Sequence, residues 1–193
     1  AIDGPFVLIN ADDFYAAEGF RTLADCFRST PPPSGGLFAL VAYPLGGTLS
    51  GQGPVSRAVC RLKPADKNFL ECIEEFTEIQ GHPSGEIGGL SPSGQRVLLQ
   101  AQAPVSVNFW AFDPLLFDGI AQGFADFRFQ LEQNPGAEYF LPAVVNRLIE
   151  SHQARVRVFQ SQAPWLGLTY ASEVQAVTAQ LADLVPQNPR GHL

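Results

Sequence analysis

Two uninterrupted apolar segments constrain the fold of this chain most strongly. Residues 6–10, FVLIN, run into a pair of acids, and residues 37–45, LFALVAYPL, contain no charged residue. A strand with one face in water alternates between apolar and polar residues, whereas a continuously apolar strand is buried on both faces in the middle of a sheet. Both segments therefore predict buried strands, and the first is expected to have a neighbour on each side.

The rest of the sequence alternates between helix and strand patterns, with a hairpin-like meander in the middle. Asp113 is a predicted N-cap, with Pro114 at the first helical position. The predicted fold class is α/β, with a mixed, mostly parallel central sheet and flanking helices. Apolar spacing predicts helices over residues 14–29, 113–134, 138–153 and 171–185. Further strands are predicted over residues 55–62, 68–79, 97–112, 154–160 and 165–170, and a loop rich in Gly, Pro and Ser over 80–96.

Length and charge exclude several classes of protein. The 193 residues suit one domain, predicted over residues 1–186, followed by a flexible tail at 187–193. A net charge of −7 without a Lys/Arg cluster argues against nucleic-acid and anionic-membrane partners. No apolar segment has the length of a membrane span and no signal peptide opens the chain, so the predicted compartment is the cytoplasm. Cys26, Cys60 and Cys72 lack metal-type spacing and predict buried, reduced thiols.

Two observations predict that the chain is N-terminally incomplete. It contains no methionine, and its first strand begins within a few residues of the first position although it is apolar throughout. Neighbouring strands from an absent N-terminal part would explain that pattern. The alternative is a mature protein whose leader has been cleaved.

The acid pair Asp12–Asp13 directly follows the first strand. Ligands of open α/β sheets bind beyond the carboxyl ends of the strands, and Mg²⁺ prefers one or two carboxylates together with phosphate oxygens and water. An Asp in this position also caps a following helix. We expect Asp12 to bind the metal and Asp13 to act as a cap or as a supporting ligand.

Four further places carry polar residues that suit a ligand. Gly53 precedes a strand and permits close approach of a ligand to the backbone, and Ser56 and Arg57 lie within that strand. Asn108 interrupts an apolar strand, so its amide is predicted to be buried and to need a partner, either across the sheet or on a sugar hydroxyl. Glu138 is predicted in the first turn of a helix, where it either complements the helix dipole or faces a sugar.

The chain contains five notable segments in this order: FVLINADDFY, GTLSGQGPVSRAVC, VSVNFWAFDPLLFD, AEYFLPAVVNRLIE and WLGLTY. In sequence and order they resemble the sugar-nucleotide pyrophosphorylases, the nucleotidyltransferases of glycosyltransferase-A-like, Rossmann-like fold. The resemblance spans nearly the whole chain and implies transfer of a nucleotidyl group from an NTP to a sugar 1-phosphate, with release of pyrophosphate and with Mg²⁺ as cofactor.

The resemblance also implies roles for single residues. Asp12 matches the strand-end aspartate that binds Mg²⁺, and Gly53 matches the glycine whose backbone meets the sugar nucleotide. Glu75 and Asn108 match positions that contact the sugar, and Glu138 matches the acid before the EYFL helix. The implied reaction is in-line attack of the sugar phosphate on the α-phosphorus, accelerated by positioning and electrostatics.

The sequence departs from the family pattern at three points. The Gly-rich triphosphate loop and its lysine are absent, so we expect this chain alone to bind no NTP tightly and to be inactive. Phe76 and Glu78 stand where the family has basic residues. Gly167 stands where a second metal carboxylate usually lies, which leaves Glu173 as the nearest acid and a candidate metal ligand together with Asp12 and Asp13.

Three functions therefore remain open from the sequence. The first is the nucleotidyltransferase. The second is a degenerate relative that binds a sugar nucleotide and regulates another process, which the exchange at Phe76 and Glu78 favours. The third is a metal-dependent glycosyltransferase, although those enzymes usually carry an acid-x-acid motif rather than two adjacent acids. The oligomeric state, the base and the sugar are left open.

Overall fold

A computed structural model describes residues 2–29 and 35–184, which fold into ten strands and four helices. The strands are β1 (Phe6–Leu8), β2 (Phe14–Tyr15), β3 (Gly36–Pro44), β4 (Val55–Lys63), β5 (Asp66–Gly81), β6 (Ile87–Leu90), β7 (Arg96–Leu99), β8 (Pro104–Phe112), β9 (Ala154–Gln160) and β10 (Trp165–Leu166). The helices are α1 (Ala17–Ser29), α2 (Leu115–Gln133), α3 (Leu141–Glu150) and α4 (Val174–Leu184). Short 3₁₀ turns span Leu45–Thr48 and Ala171–Glu173.

Five strands close into a ring in the order β8, β3, β9, β5 and β4, with β4 pairing again with β8. Among the described strands, only β3 and β9 pair in parallel. The prediction of an open, mostly parallel, Rossmann-like sheet is therefore wrong. The central part of the sequence forms hairpins with short turns, and such connections join antiparallel strands.

The long strand β5 allows the ring to close. Its pairing with β4 contains three shifts of register, and irregularities of this kind bend a strand and increase its twist. The bent strand reaches β9, where Phe69 lies opposite Arg157. These contacts join residues about ninety positions apart, so local sequence patterns do not reveal them.

The two apolar segments differ in their burial and in their place in the sheet. Strand β3 lies between β8 and β9, and every residue from Leu37 to Tyr43 is buried, as predicted. Strand β1 pairs only with β8 at an edge of the sheet, and 42% of Val7 is exposed. The prediction that the first strand is fully buried is therefore wrong, whereas a neighbour on its second side stays a prediction.

The helices cover two faces of the sheet. On one face, Leu23 and Cys26 of α1 pack against alternate residues of β3 and against Phe109 of β8. On the other face, α2 and α3 pack through Leu116, Val144, Val145 and Leu148 against Phe38, Leu40, Trp110 and Phe112. Side chains of a strand alternate between faces, so β3 and β8 contribute to both cores.

Three predicted element boundaries need correction. Helix α1 begins at Ala17 rather than at residue 14, because Phe14 and Tyr15 pair with β10 in a small ribbon. Helix α3 begins at Leu141, so Glu138 precedes it instead of lying in its first turn. The predicted loop at 80–96 contains β6, which forms a hairpin with β7.

The start of α2 is close to the prediction. The helix begins at Leu115, one residue later than expected. Asp113 nevertheless accepts a hydrogen bond from the backbone N–H of Leu115 at 2.8 Å, and its second oxygen accepts one from the N–H of Leu37 at 2.9 Å. The carboxylate thus caps α2 and fixes it to β3.

All three cysteines are free thiols, as predicted; Cys26 and Cys60 are buried and Cys72 is partly buried. In the part of the chain that the structure describes, no helix is both long and apolar enough to cross a membrane. The predicted tail at 187–193 lies outside the described residues.

Candidate functional site

A cleft of about 400 Å³ opens where the segment after β1 meets the middle of β8 and the segment around β10. Its walls also include residues of β4, β5 and the start of α3. Six of the residues singled out from the sequence line it: Asp12, Asp13, Ser56, Arg57, Glu75 and Asn108. These side chains are up to 96 positions apart in the sequence, counted from Asp12 to Asn108, and the fold brings them to one cavity.

Asp13 is held by a polar network. Its Oδ2 accepts hydrogen bonds from Asn10 Nδ2 at 2.9 Å and from the Tyr15 hydroxyl at 3.0 Å. The Tyr15 oxygen also lies 2.7 Å from the carbonyl oxygen of Val107, so its single proton is shared between two acceptors. Burial raises the pKa of Tyr15 well above its usual value, and the Asp13 carboxylate adds to that increase while the N–H of Asn10 opposes it. Two hydrogen bonds therefore fix one oxygen of Asp13.

Asn108 occupies a bulge in β8. Leu40 of β3 lies opposite Trp110 and Ala42 lies opposite Ser106, so three residues of β8 face the single Val41. The middle one of the three, Asn108, has a φ of +60°, a left-handed backbone conformation that is uncommon outside glycine. Strain of this kind is often found at functional sites.

The Asn108 side chain is exposed, so the prediction of a buried amide is wrong. Its Nδ2 donates to Asn10 Oδ1 at 3.1 Å, and its backbone N–H donates to the Ser106 hydroxyl at 3.1 Å. Asn10 thus joins Asn108 to Asp13. The Oδ1 atom of Asn108 accepts no hydrogen bond from the described residues and is free for a ligand.

Asp12 lies at the rim of the cleft. Its side chain is exposed and makes no hydrogen bond or ion pair with the described residues. Residues 2–29 and 35–184 contain no group of three or more His, Cys, Asp or Glu that could hold a metal. Two carboxylates nevertheless suit Mg²⁺, which completes its shell with water and phosphate oxygens. The carboxylate of Asp12 and the Oδ1 atom of Asp13 are the groups in the cleft that are suited to coordinate this ion.

Arg57 provides the cation of the cleft. Its terminal nitrogens donate to the carbonyl oxygens of Ser56 and Thr48, both at 2.7 Å, and its guanidinium lies 5.1 Å from the centre of the Trp165 ring. Burial lowers the pKa of Arg57, while the charges of Asp13, Glu75 and Glu173 raise it. An Arg side chain stays protonated under such opposing effects, so it acts here mainly through its charge.

Glu75 is half-buried beside this cation. Burial raises the pKa of its carboxyl above the usual value, and the charge of Arg57 opposes the increase. Glu75 makes no hydrogen bond and no ion pair with the described residues. Its carboxylate therefore remains available to a ligand.

Gly53 and Glu138 lie outside the lining of the cleft. A Cβ atom at Gly53 would come within 2.6 Å of the Tyr170 hydroxyl, so packing against Tyr170 accounts for the glycine. Glu138 is exposed and borders a separate cavity of about 360 Å³ with Asp126 and Arg147.

Glu173 also lies outside the cleft lining. Its Oε1 accepts a hydrogen bond from the Ser50 hydroxyl at 2.5 Å, and its Oε2 accepts bonds from the N–H groups of Thr169 and Tyr170 at 3.2 and 3.0 Å. Both oxygens thus stabilise the turn before α4. The bond from Ser50 is the main reason that the pKa of Glu173 is lowered.

Three residues of the site were missed by sequence reasoning: Asn10, Tyr15 and Trp165. Asn10 and Tyr15 flank the acid pair in FVLINADDFY, and a polar residue at the end of an apolar strand was the signal that could have singled out Asn10. Gly167 lies at the same corner, because a Cβ atom there would come within 2.8 Å of Asp13 Oδ1 and would collide with Trp165.

The exchanged positions Phe76 and Glu78 do not line the cleft. Phe76 packs against the cluster around Leu45 and Ile79, and Glu78 forms an ion pair with Arg96 at 2.7 Å. Glu78 borders a different cavity, next to the β6–β7 hairpin.

The sequence matches no family model and no curated protein. The site must therefore be interpreted from its own chemistry.

Proposed function

We propose that this protein is a Mg²⁺-dependent nucleotidyltransferase that uses an NTP and a sugar 1-phosphate and releases pyrophosphate. The observation that carries the proposal is that the acid pair Asp12–Asp13 shares one cleft with Glu75, Asn108 and Arg57. The cleft thus combines a pair of carboxylates for a metal with polar groups for a sugar. The proposal implies a cytoplasmic enzyme, since NTPs and sugar phosphates are found there.

The metal end of the cleft is suited to phosphate groups. Asp12 and Asp13 Oδ1 would hold Mg²⁺, which when bound offsets the negative charge of phosphate oxygens. Asn10 and Tyr15 orient Asp13 through its other oxygen. Preorganised ligands of this kind cost little reorganisation during a reaction.

Two other residues of the cleft are suited to hydroxyl groups. The Glu75 carboxylate and the Asn108 Oδ1 are acceptors without a donor among the described residues. Glu75 is half-buried and Asn108 is exposed, so both acceptors are accessible to the hydroxyl groups of a sugar. Arg57 interacts electrostatically with both Asp13 and Glu75, and its positive charge would stabilise the transferred phosphate.

Pyrophosphate release tests this function. The complete gene product is incubated with each NTP, Mg²⁺ and a panel of sugar 1-phosphates. We expect release with at least one pair, and a loss on the order of 10²-fold or more in Asp12→Asn, because the substitution removes a metal ligand. The matched control is Asp25→Asn, since Asp25 is exposed on α1 and pairs with Arg28 outside the cleft. Release that survives Asp12→Asn would contradict the proposal.

A second function, binding of a sugar nucleotide without catalysis, is favoured by the state of Arg57. Both terminal nitrogens of this cation donate to backbone carbonyls. Two of the five N–H groups of this guanidinium are thus used by the backbone, and the described residues that line the cleft include no second cation to bind a phosphate. No release with any pair, together with Mg²⁺-dependent binding of a nucleotide sugar, would support this second function.

A further inference from the structure

A second cavity, of about 620 Å³, adjoins the candidate cleft. Glu75, Phe140 and Pro142 line both cavities, so they form the boundary between them. The second cavity extends along β5 towards the turn between β6 and β7, and its other wall is α3. The two cavities therefore meet at Glu75, and its carboxylate borders both of them.

Most polar groups on the wall of the second cavity already have partners. Glu74 pairs with Arg61 at 2.9 Å. The Asn146 amide donates to the carbonyl of Ile73 at 2.7 Å and accepts from its N–H at 2.9 Å. Among the described residues that line the cavity, Glu74 and Glu75 alone are charged, so Glu75 faces no cation in this cavity, although Arg57 acts on it from the cleft.

The surroundings of Glu75 favour a positively charged group. Its carboxylate is half-buried without a hydrogen bond, and burial raises its pKa. Phe140, which is 46% exposed, lies on the same boundary, and an aromatic face attracts a cation that lies within about 6 Å of its centre. A hydroxyl would satisfy the carboxylate, but an ammonium group would in addition compensate its charge and gain from the aromatic ring.

We propose that the ligand of this site is an amino sugar phosphate whose ammonium group binds at the boundary between the two cavities, against Glu75 and Phe140. This proposal rests on the proposed function, of which it names the substrate class. It makes Glu75 a residue that distinguishes an amine from a hydroxyl at one position of the sugar.

Matched pairs of ligands test the proposal. Dissociation constants are measured by calorimetry for the complete gene product with glucose 1-phosphate and galactose 1-phosphate, and with their 2-, 3- and 4-amino analogues, in the presence of Mg²⁺. We expect one amino analogue to bind about tenfold more tightly than its hydroxyl parent, because an ammonium group adds attraction between opposite charges to the hydrogen bond that a hydroxyl also gives the carboxylate. Equal affinity within every pair would overturn the amino-sugar proposal and leave the proposed function intact. Absence of binding by all ligands would overturn both.

Two substitutions test whether Glu75 and Phe140 cause the tighter binding of the amino analogue. Glu75→Gln keeps the shape but removes the charge, and it is expected to bring the tenfold ratio close to one. Glu71→Gln is the control, since Glu71 is an exposed residue of the same strand outside both cavities. Phe140→Leu is expected to reduce the ratio several-fold, whereas Phe124→Leu, at a similarly exposed aromatic residue outside both cavities, leaves it unchanged. A ratio that survives Glu75→Gln would contradict the proposal.

Discussion

Strands β3 and β8 are neighbours in the same sheet, but only one of them contributes to the candidate site. Strand β3 is buried at eight consecutive residues, from Gly36 to Tyr43, and contributes no side chain to the cleft. Strand β8 is buried on either side of Asn108, from Val105 to Val107 and from Phe109 to Phe112. The bulge at Asn108 separates these two buried parts and exposes one polar side chain. In this molecule the candidate site lies where a core strand departs from regular pairing.

The cores beneath the two strands are expected to be equally important for stability. Phe38 of β3 and Phe112 of β8 are fully buried and meet edge to face, with ring centres 4.9 Å apart. Each truncation to Ala should lower the free energy of unfolding by about 3–5 kcal/mol, because a cavity remains. Chemical denaturation measures the loss, and Phe129→Ala, at a ring that is 68% exposed, is expected to change it by less than about 0.5 kcal/mol. A small loss at Phe112 alone would show that β8 is not a core strand like β3.

Substitution by glycine should change the stability differently in the two strands, at Asn108 in the bulge of β8 and at Val41 opposite it in β3. At Asn108 the φ of +60° suits glycine, so Asn108→Gly should cost no more than about 1 kcal/mol, mainly from the lost bond to Asn10. Asn108→Val should cost about 1–3 kcal/mol because a β-branched residue disfavours this conformation. Across the bulge, Val41→Gly should cost more than either, since Val41 is buried in a regular strand. The same denaturation assay ranks the three variants, and an equal cost of Gly and Val at position 108 would contradict the strained bulge.

Tyr15 links the bulge to the acid pair, and it should make the stability of the protein depend on pH. Removal of its hydroxyl in Tyr15→Phe should cost about 1–2 kcal/mol near pH 7, because Val107 and Asp13 lose a donor. The pKa of Tyr15 is raised in the folded state from a reference value of 10.0, so its contribution is fully present below pH 10 and is lost as the pH rises further. Between pH 8 and pH 11 the free energy of unfolding should therefore fall more steeply for the wild type than for Tyr15→Phe. Parallel curves would show that the phenol is not buried as described.

The smallest effect is expected at Glu173, far from the bulge in sequence. Ser50→Ala should raise the lowered pKa of Glu173 towards its reference value of 4.5, because the Ser50 hydroxyl is its main stabilising partner. The stability that Glu173 provides is present above that reference value and is lost as the pH falls through the folded-state pKa. A ¹³C NMR titration of the Glu173 carboxyl measures this pKa in the wild type and in Ser50→Ala. Addition of Mg²⁺ should leave the Glu173 titration unchanged, and a large shift would identify Glu173 as a metal ligand instead.

The sequence was most informative where local pattern decides structure. The apolar run of β3, the cap at Asp113 and the acid pair after β1 follow from residues that are close in the chain. Closure of the ring depends on the register shifts of β5 and on its contact with β9, which no local pattern encodes. The exposure of Asn108 could not be predicted either, because it depends on two extra residues opposite Val41. Asn10 joins the site only through side chains that the fold brings together.

The central claim is that Asp12, Asp13 and Asn108 belong to one metal-dependent ligand site. Paramagnetic Mn²⁺, which shares the preference of Mg²⁺ for oxygen ligands, tests it directly when added in substoichiometric amounts to isotope-labelled protein. We predict that the NMR signals of Asn10, Asp12, Asp13 and Asn108 broaden together, and that Asp12→Asn abolishes the broadening. Broadening confined to acids elsewhere on the surface, with the Asn108 signal unchanged, would contradict the account.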